Sequence, residues 1–114
     1  MIIYVDIDDT ICRRGTHNTD TNDDSDKYSH SNLDYKKSIP YKNRINKINR
    51  LYDEGHIIVY WTARGSLTNI NWFNITYKQL TEWGCKFNEL RMGKPAYDVL
   101  IDDKSFNSVE YFLE

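Results

Sequence analysis

The chain is poor in the residues that staple or stiffen a fold: 114 residues hold two cysteines, two prolines and five glycines. It also lacks a long apolar run and an excess of either charge. Each scarcity excludes something. Cys12 and Cys85 have no metal-ligand spacing and are too few for a disulfide framework, so free thiols in a reducing compartment are expected. No stretch approaches the roughly 18 apolar residues that span a bilayer, and the start has neither a basic n-region nor a long h-region. A cytoplasmic protein without a membrane partner follows as the expectation. A net charge of -2 exerts no general pull on polynucleotides, which disfavours nucleic acid as a partner. With 39% hydrophobic and 28% charged residues the composition is that of a globular chain, and its length suits one domain over 1–114. Asn74-Ile75-Thr76 matches a glycosylation acceptor but lies inside a helical pattern, and is read as chance.

What is present is a regular alternation of strand and helix signals. Ile2 to Val5 is a continuous apolar run, the pattern of a strand buried on both faces. Residues 13–38 interrupt the order with a polar, flexible insertion, and from Thr16 to Asn32 it has almost nothing apolar to bury. Pro40 suits the first turn of a helix whose inner face carries Ile45, Ile48, Leu51 and Tyr52, with Gly55 just past its end. Ile57 to Trp61 reads as a second buried strand. A second helix is expected over about 68–83, with Ile70, Phe73, Tyr77 and Leu80 inward and Gly84 closing it. Lys86 to Leu90 and Tyr97 to Ile101 read as further strands, and Ser105 to Leu113 as a short helix. The implied fold is a three-layer, Rossmann-like α/β domain: a parallel sheet with right-handed crossover helices.

Polar side chains fall where these strands should end. Asp6 and Asp8 follow the first strand, Thr62 the second, and Asp102 and Asp103 the last, while Lys94 occupies the Gly93-Lys94-Pro95 turn. In open parallel sheets ligands bind outside the carboxyl ends of the strands. Side chains two apart on a strand share a side, so Asp6 and Asp8 converge, which is costly unless a cation or a proton lies between them. Phosphoryl transfer uses such a set: a carboxylate nucleophile, a metal to screen anion from anion, a lysine and a hydroxyl for the phosphoryl oxygens, and a second carboxylate to move the proton.

Asp6-Ile7-Asp8-Asp9-Thr10, Trp61-Thr62-Ala63-Arg64-Gly65, Lys94 and Ile101-Asp102-Asp103 resemble, in order, the four motifs of the haloacid dehalogenase-like phosphohydrolases. Asn49-Arg50-Leu51-Tyr52-Asp53-Glu54-Gly55-His56, Thr62-Ala63-Arg64-Gly65-Ser66 and Met92-Gly93-Lys94-Pro95-Ala96-Tyr97-Asp98 are similar to a small capless subgroup, the capsule or surface-polysaccharide biosynthesis phosphatases. The resemblance implies Asp6 as nucleophile and metal ligand. It implies Asp8 as general acid/base that also offers its carbonyl to the metal. Thr62, Ala63 and Lys94 would bind the phosphoryl group, Asp102 would complete a Mg2+ site, and Asp103 would support it through water or by orienting Lys94. Arg64 is not a general requirement of the family and is read as a substrate contact or a cover for the sheet edge. The insertion is too short and polar for a folded cap domain. The implied activity is Mg2+-dependent hydrolysis of a small phosphorylated metabolite, such as a sugar phosphate, with a homo-oligomer as a family expectation. Two other readings stand beside it: a phosphatase of phosphorylated macromolecules, and a signalling module that accepts a phosphoryl group and keeps it.

Overall fold

The computed structural model describes residues 1–14 and 35–113, so most of the polar insertion expected at 13–38 lies outside the described residues. The elements run β1 (Ile2–Val5), β2 (Cys12–Arg13), β3 (Ile39–Pro40), α1 (Lys42–Asp53), β4 (Ile57–Trp61), α2 (Phe73–Glu82), β5 (Glu89–Arg91) and α3 (Ser108–Tyr111). β1, β4 and β5 form a parallel sheet in that spatial order, with Ile3 opposite Ile58, Val5 opposite Tyr60, and Tyr60 opposite Leu90.

This order explains where the core sits. Moving from β1 to β4 to β5, the sheet grows in one direction, and successive right-handed crossovers then place their helices on the same face. Ile45 and Ile48 of α1 and Leu80 of α2 accordingly share one cluster with Val5, Ile58, Tyr60 and Leu90. The other face is poorly covered: Ile2, Tyr4 and Ile57 are exposed there, although Val59 is buried. The described residues thus form one helical layer on one sheet face, where the sequence pattern suggested helices on both. β1 was expected to be central and buried on both sides. It lies instead at the sheet edge among the described residues, and half of its side chains meet solvent because they belong to the uncovered face.

The missing neighbour is the segment Tyr97–Ile101, read from sequence as a strand. It is irregular, with Val99 and Ile101 among the most exposed large apolar side chains. β-branched residues favour a pleated surface only when they pack against one, and among the described residues no strand pairs with this stretch.

Two further elements differ from the sequence pattern. Pro40 ends β3 rather than opening a helix, and α1 begins two residues later behind Tyr41. β3 pairs with β2 through Cys12 opposite Pro40, an antiparallel clasp that joins the two roots of the 15–34 segment. Helix α2 starts at Phe73 instead of about residue 68, and Ile70, Phe73 and Tyr77 face outward. Its buried residues are Thr76, Gln79 and Leu80. Two polar side chains on an inner face need a polar partner in the core. Arg64 is that partner.

Ile58 lies at the centre of the sheet with no exposed surface. Ile58→Ala is expected to lower the unfolding free energy by about 2–5 kcal/mol through lost burial and a cavity, read as a shift in the urea midpoint at unchanged slope. A loss under about 0.5 kcal/mol, the range of ordinary surface substitutions, would place the core elsewhere.

Candidate active site

Three strand ends meet at the carboxyl edge. The chain leaves β1 through Asp6 and Asp8, β4 through Thr62 and Arg64, and β5 through Lys94. The β1 end is tightly wound: Thr10 and Ile11 donate backbone N–H groups to the Ile7 carbonyl, and Asp9 donates to that of Cys12 at 2.7 Å. Asp9 takes a positive φ of 64° in this turn, a conformation aspartate tolerates better than most residues. Ile7 and Ile11, both fully buried, anchor the turn while the acids between them stay at the edge.

Asp6 is the more accessible of the two carboxylates, with its side chain 35% exposed. Its Oδ1 lies 3.2 Å from the Lys94 ammonium, and its Oδ2 accepts a hydrogen bond from the Thr10 hydroxyl at 3.0 Å. Lys94 is held firmly. Its backbone N–H donates to the Thr62 carbonyl and its carbonyl accepts from the Ser66 hydroxyl at 2.7 Å. The rings of Trp61 and Tyr97 stand 5.7 and 5.5 Å from its ammonium. Thr62 is buried, with Oγ1 accepting from the Arg64 backbone N–H at 3.1 Å. That leaves its hydroxyl hydrogen to donate. Ala63 is half-buried, and its carbonyl accepts from Ser66.

Asp8 belongs to a different environment. Arg64 grips it with both arms of the guanidinium: Nε donates to Oδ2 at 3.0 Å and Nη2 to Oδ1 at 2.9 Å. Nη1 donates to Thr76 Oγ1 at 3.0 Å and Gln79 Oε1 at 2.6 Å, and the guanidinium lies 4.7 Å from the Tyr35 ring centroid. The Arg64 side chain has no exposed surface and directs its guanidinium to Asp8 and α2, although the residue also borders the open cavity beside Lys94. Gly65 makes the turn possible. Its φ is +83°, and a Cβ there would stand 2.2 Å from the Ile70 carbonyl oxygen. Sequence reasoning missed the role of Arg64, although Thr76 and Gln79 at helical spacing beside Leu80 were a signal that a buried cation lay opposite.

Asp102 and Asp103 are exposed. Asp102 Oδ1 accepts the Lys104 backbone N–H at 3.0 Å, and this bond holds its carboxyl below the ordinary value. Among the described residues no three His, Cys, Asp or Glu side chains come together, so Asp102 is not grouped with Asp6 and Asp8. Asp6 and Asp8 are hard oxygen donors of the kind Mg2+ accepts. With Asp8 occupied by Arg64 and no third carboxylate beside them, the assembled residues do not fit a closed Mg2+ site. The physical reason is the one given for the sheet: the segment that carries Asp102 does not lie along β1.

An open cavity of about 460 Å3 adjoins Lys94, lined among others by Ser66, Asn69, Asn71 and Trp72. No helix among the described residues is long and apolar enough to cross a membrane.

No family model and no curated protein matches this chain. A crystal structure of a structural-genomics target from Vibrio cholerae shares the fold, with a TM-score of 0.75 and 23% identity over 100% of this chain and 89% of that one.

Two covered thiols, Cys12 beside Asp8 and Cys85 beside Tyr60, make the fold sensitive to alkali. Burial, with the Asp8 carboxylate beside it, pushes Cys12 from 9.0 up to about 12, and burial pushes Cys85 up to about 11. A folded-state value above the unfolded one favours the protonated native form. The stabilisation is complete below pH 9 and is lost as pH rises through the folded values. Unfolding free energy is therefore expected to decline between pH 9 and about pH 12, with slow thiol labelling of the native protein at pH 8 and fast labelling in urea. Rapid native labelling at pH 8 would contradict this.

Proposed function

We propose that the chain is a phosphomonoester hydrolase of the haloacid dehalogenase-like kind, acting on a small phosphorylated metabolite through an aspartyl-phosphate. The observation that carries this reading is the 3.2 Å approach of the Lys94 ammonium to Asp6 at the carboxyl edge of the parallel sheet. A carboxylate that is accessible, oriented by a hydroxyl and paired with one fixed cation suits attack on a phosphorus atom whose oxygens the same cation holds.

In the proposed cycle the substrate's phosphoryl oxygens draw the Lys94 ammonium, with the Thr62 hydroxyl as second donor. An Asp6 oxygen attacks phosphorus, the bond to the leaving oxygen breaks, and Asp8 gives that oxygen a proton. Water then gives a proton to Asp8 and attacks phosphorus, the bond to Asp6 breaks, and inorganic phosphate leaves. The open cavity beside Lys94, with Asn69 and Asn71 on its wall, supports a polar, hydroxyl-rich leaving group such as a sugar.

Mg2+ belongs to the proposal on charge grounds. One lysine does not balance Asp6 and a phosphomonoester together, and a divalent cation supplies the remaining screening of charge when bound. No step above passes through it, because its ligand set is not assembled. A second reading, a module that accepts a phosphoryl group and keeps it, is favoured by one feature: both oxygens of Asp8 are engaged by Arg64.

Asp6→Asn is expected to lower turnover of p-nitrophenyl phosphate at least about 1,000-fold, the scale on which removing a nucleophile acts. Lys94→Met is expected to lower kcat/KM about 100-fold. Wild-type turnover in Asp6→Asn would sink the hydrolase reading. A stable phosphoprotein without turnover would move the assignment to the signalling module.

Chelation is expected to abolish turnover, and added Mg2+ to restore it. Full activity in chelator would remove Mg2+ from the proposal and leave the roles of Asp6 and Lys94 standing.

A further inference from the structure

Arg64 has more hydrogen-bonding partners than a cover for the sheet edge needs. Four hydrogen bonds leave its guanidinium, two to Asp8 and two to helix α2. The cation is itself fixed from behind: Gln79 donates its amide to the Tyr35 carbonyl, and the Tyr35 ring meets Trp72 edge-on at 4.8 Å. A fork anchored this way sets the orientation of the carboxylate it holds, because two parallel bonds remove rotation about χ2.

The two Asp8 oxygens are not equivalent. Oδ1 accepts from Nη2 and lies 3.6 Å from the Cys12 thiol, whereas Oδ2 accepts from Nε alone among the described residues. A carboxylate oxygen has two lone pairs. The second lone pair of Oδ1 lies beside a thiol whose one hydrogen is shared with the Ile7 carbonyl, also at 3.6 Å. Oδ2 keeps a lone pair with no donor among the described residues.

We propose that Arg64 is a positioning residue that presents Oδ2 of Asp8 as the one oxygen carrying the proton in the cycle. The inference rests on the hydrolase reading above and deepens it. In the first half, the Oδ2 proton passes to the leaving oxygen as its bond to phosphorus breaks. In the second half, a water proton passes to Oδ2 as the water oxygen bonds to phosphorus and the bond to Asp6 breaks. The guanidinium keeps its hydrogens throughout, and Nε and Nη2 hold the carboxylate plane in both halves. Arg64 therefore acts through Asp8.

Leaving-group dependence tests the idea. A poor leaving group such as glycerol needs the proton when it departs, and p-nitrophenolate does not. The probes are glycerol 3-phosphate and p-nitrophenyl phosphate, compared by kcat/KM, which covers the steps up to leaving-group departure. Arg64→Lys keeps the charge without the fork. Thr76→Val and Gln79→Met keep Arg64 but free its far side, and they provide variants that fold if Arg64→Lys does not; thermal melts check each. The expected losses for glycerol 3-phosphate are about 100-fold in Arg64→Lys and about 10-fold in the helix variants, within the range that general acid–base catalysis supplies. The expected loss for p-nitrophenyl phosphate is less than about threefold in every variant, because its departure draws little on that proton.

Equal losses on both esters in folded variants would overturn the positioning role while leaving the hydrolase reading intact. Wild-type kcat/KM on glycerol 3-phosphate in folded Arg64→Lys would also overturn it, since charge alone would then suffice. If the wild-type protein turned over neither ester, with or without Mg2+, the hydrolase reading and this inference would fall together.

Discussion

A guanidinium with no exposed surface dominates the organisation of this molecule. Burying an unpaired charge costs several kcal/mol, and removing one partner of a buried pair costs about 3–5 kcal/mol. Arg64 can occupy the interior only because Asp8, Thr76 and Gln79 take its N–H groups and Tyr35 covers its face. Those partners come from three parts of the chain: the turn after β1, the inner face of α2, and the residue that follows the 15–34 segment. The ion pair thus decides which face α2 turns inward and joins that face to one acid of the site. It also explains the strained loop between β4 and α2. Gly65 at φ +83° and Asn69 at φ +61° bend the chain so that Arg64 points back beneath the sheet edge.

The second organising device is the parallel sheet itself. Parallel strands bring carboxyl ends to one edge, so residues from three separate segments meet there once the strands have paired. Lys94 shows how rigid that edge is: its backbone continues the β4–β5 pairing by donating to Thr62, and Ser66 closes the turn from the other side. Asp6 and Lys94 stand on well-packed backbone, and Asp8 is locked by a buried cation. In contrast, Asp102 and Asp103 occupy an exposed irregular stretch that joins no strand among the described residues. The site is therefore unevenly built. Asp6, Lys94 and Asp8 rest on the sheet, while Asp102, the third acid expected beside them, does not.

Much of this was legible in the residues. The apolar runs Ile2–Val5 and Ile57–Trp61 read as strands because continuous β-branched and aromatic stretches have few other stable homes. The helix at 42–53 was legible from the spacing of Ile45 and Ile48. The placement of Asp6, Thr62 and Lys94 at strand ends followed from those elements, since a residue after a parallel strand lies at the carboxyl edge by geometry. Less legible was anything that depends on one segment finding another. Tyr97–Ile101 has strand composition, yet β-pairing is a property of two segments, and no local pattern says whether the edge of β1 accepts it. The inner face of α2 was misread for a related reason. Apolar periodicity favoured Phe73 and Tyr77, but a buried charge outweighs a few tens of Å2 of aromatic surface and drew Thr76 and Gln79 inward.

Local chemistry by itself determined the strands Ile2–Val5 and Ile57–Trp61, the helix 42–53, the parallel α/β class and the identity of the polar residues at the strand ends. Backbone preference and burial periodicity act over a few residues, and those constraints are written in order along the chain. Tertiary structure alone decided that Lys94 neutralises Asp6, that Arg64 turns away from solvent to hold Asp8, and that Asp102 stands apart. Those outcomes are set by where charge can be buried at least cost, and that cost depends on every segment that comes to surround it.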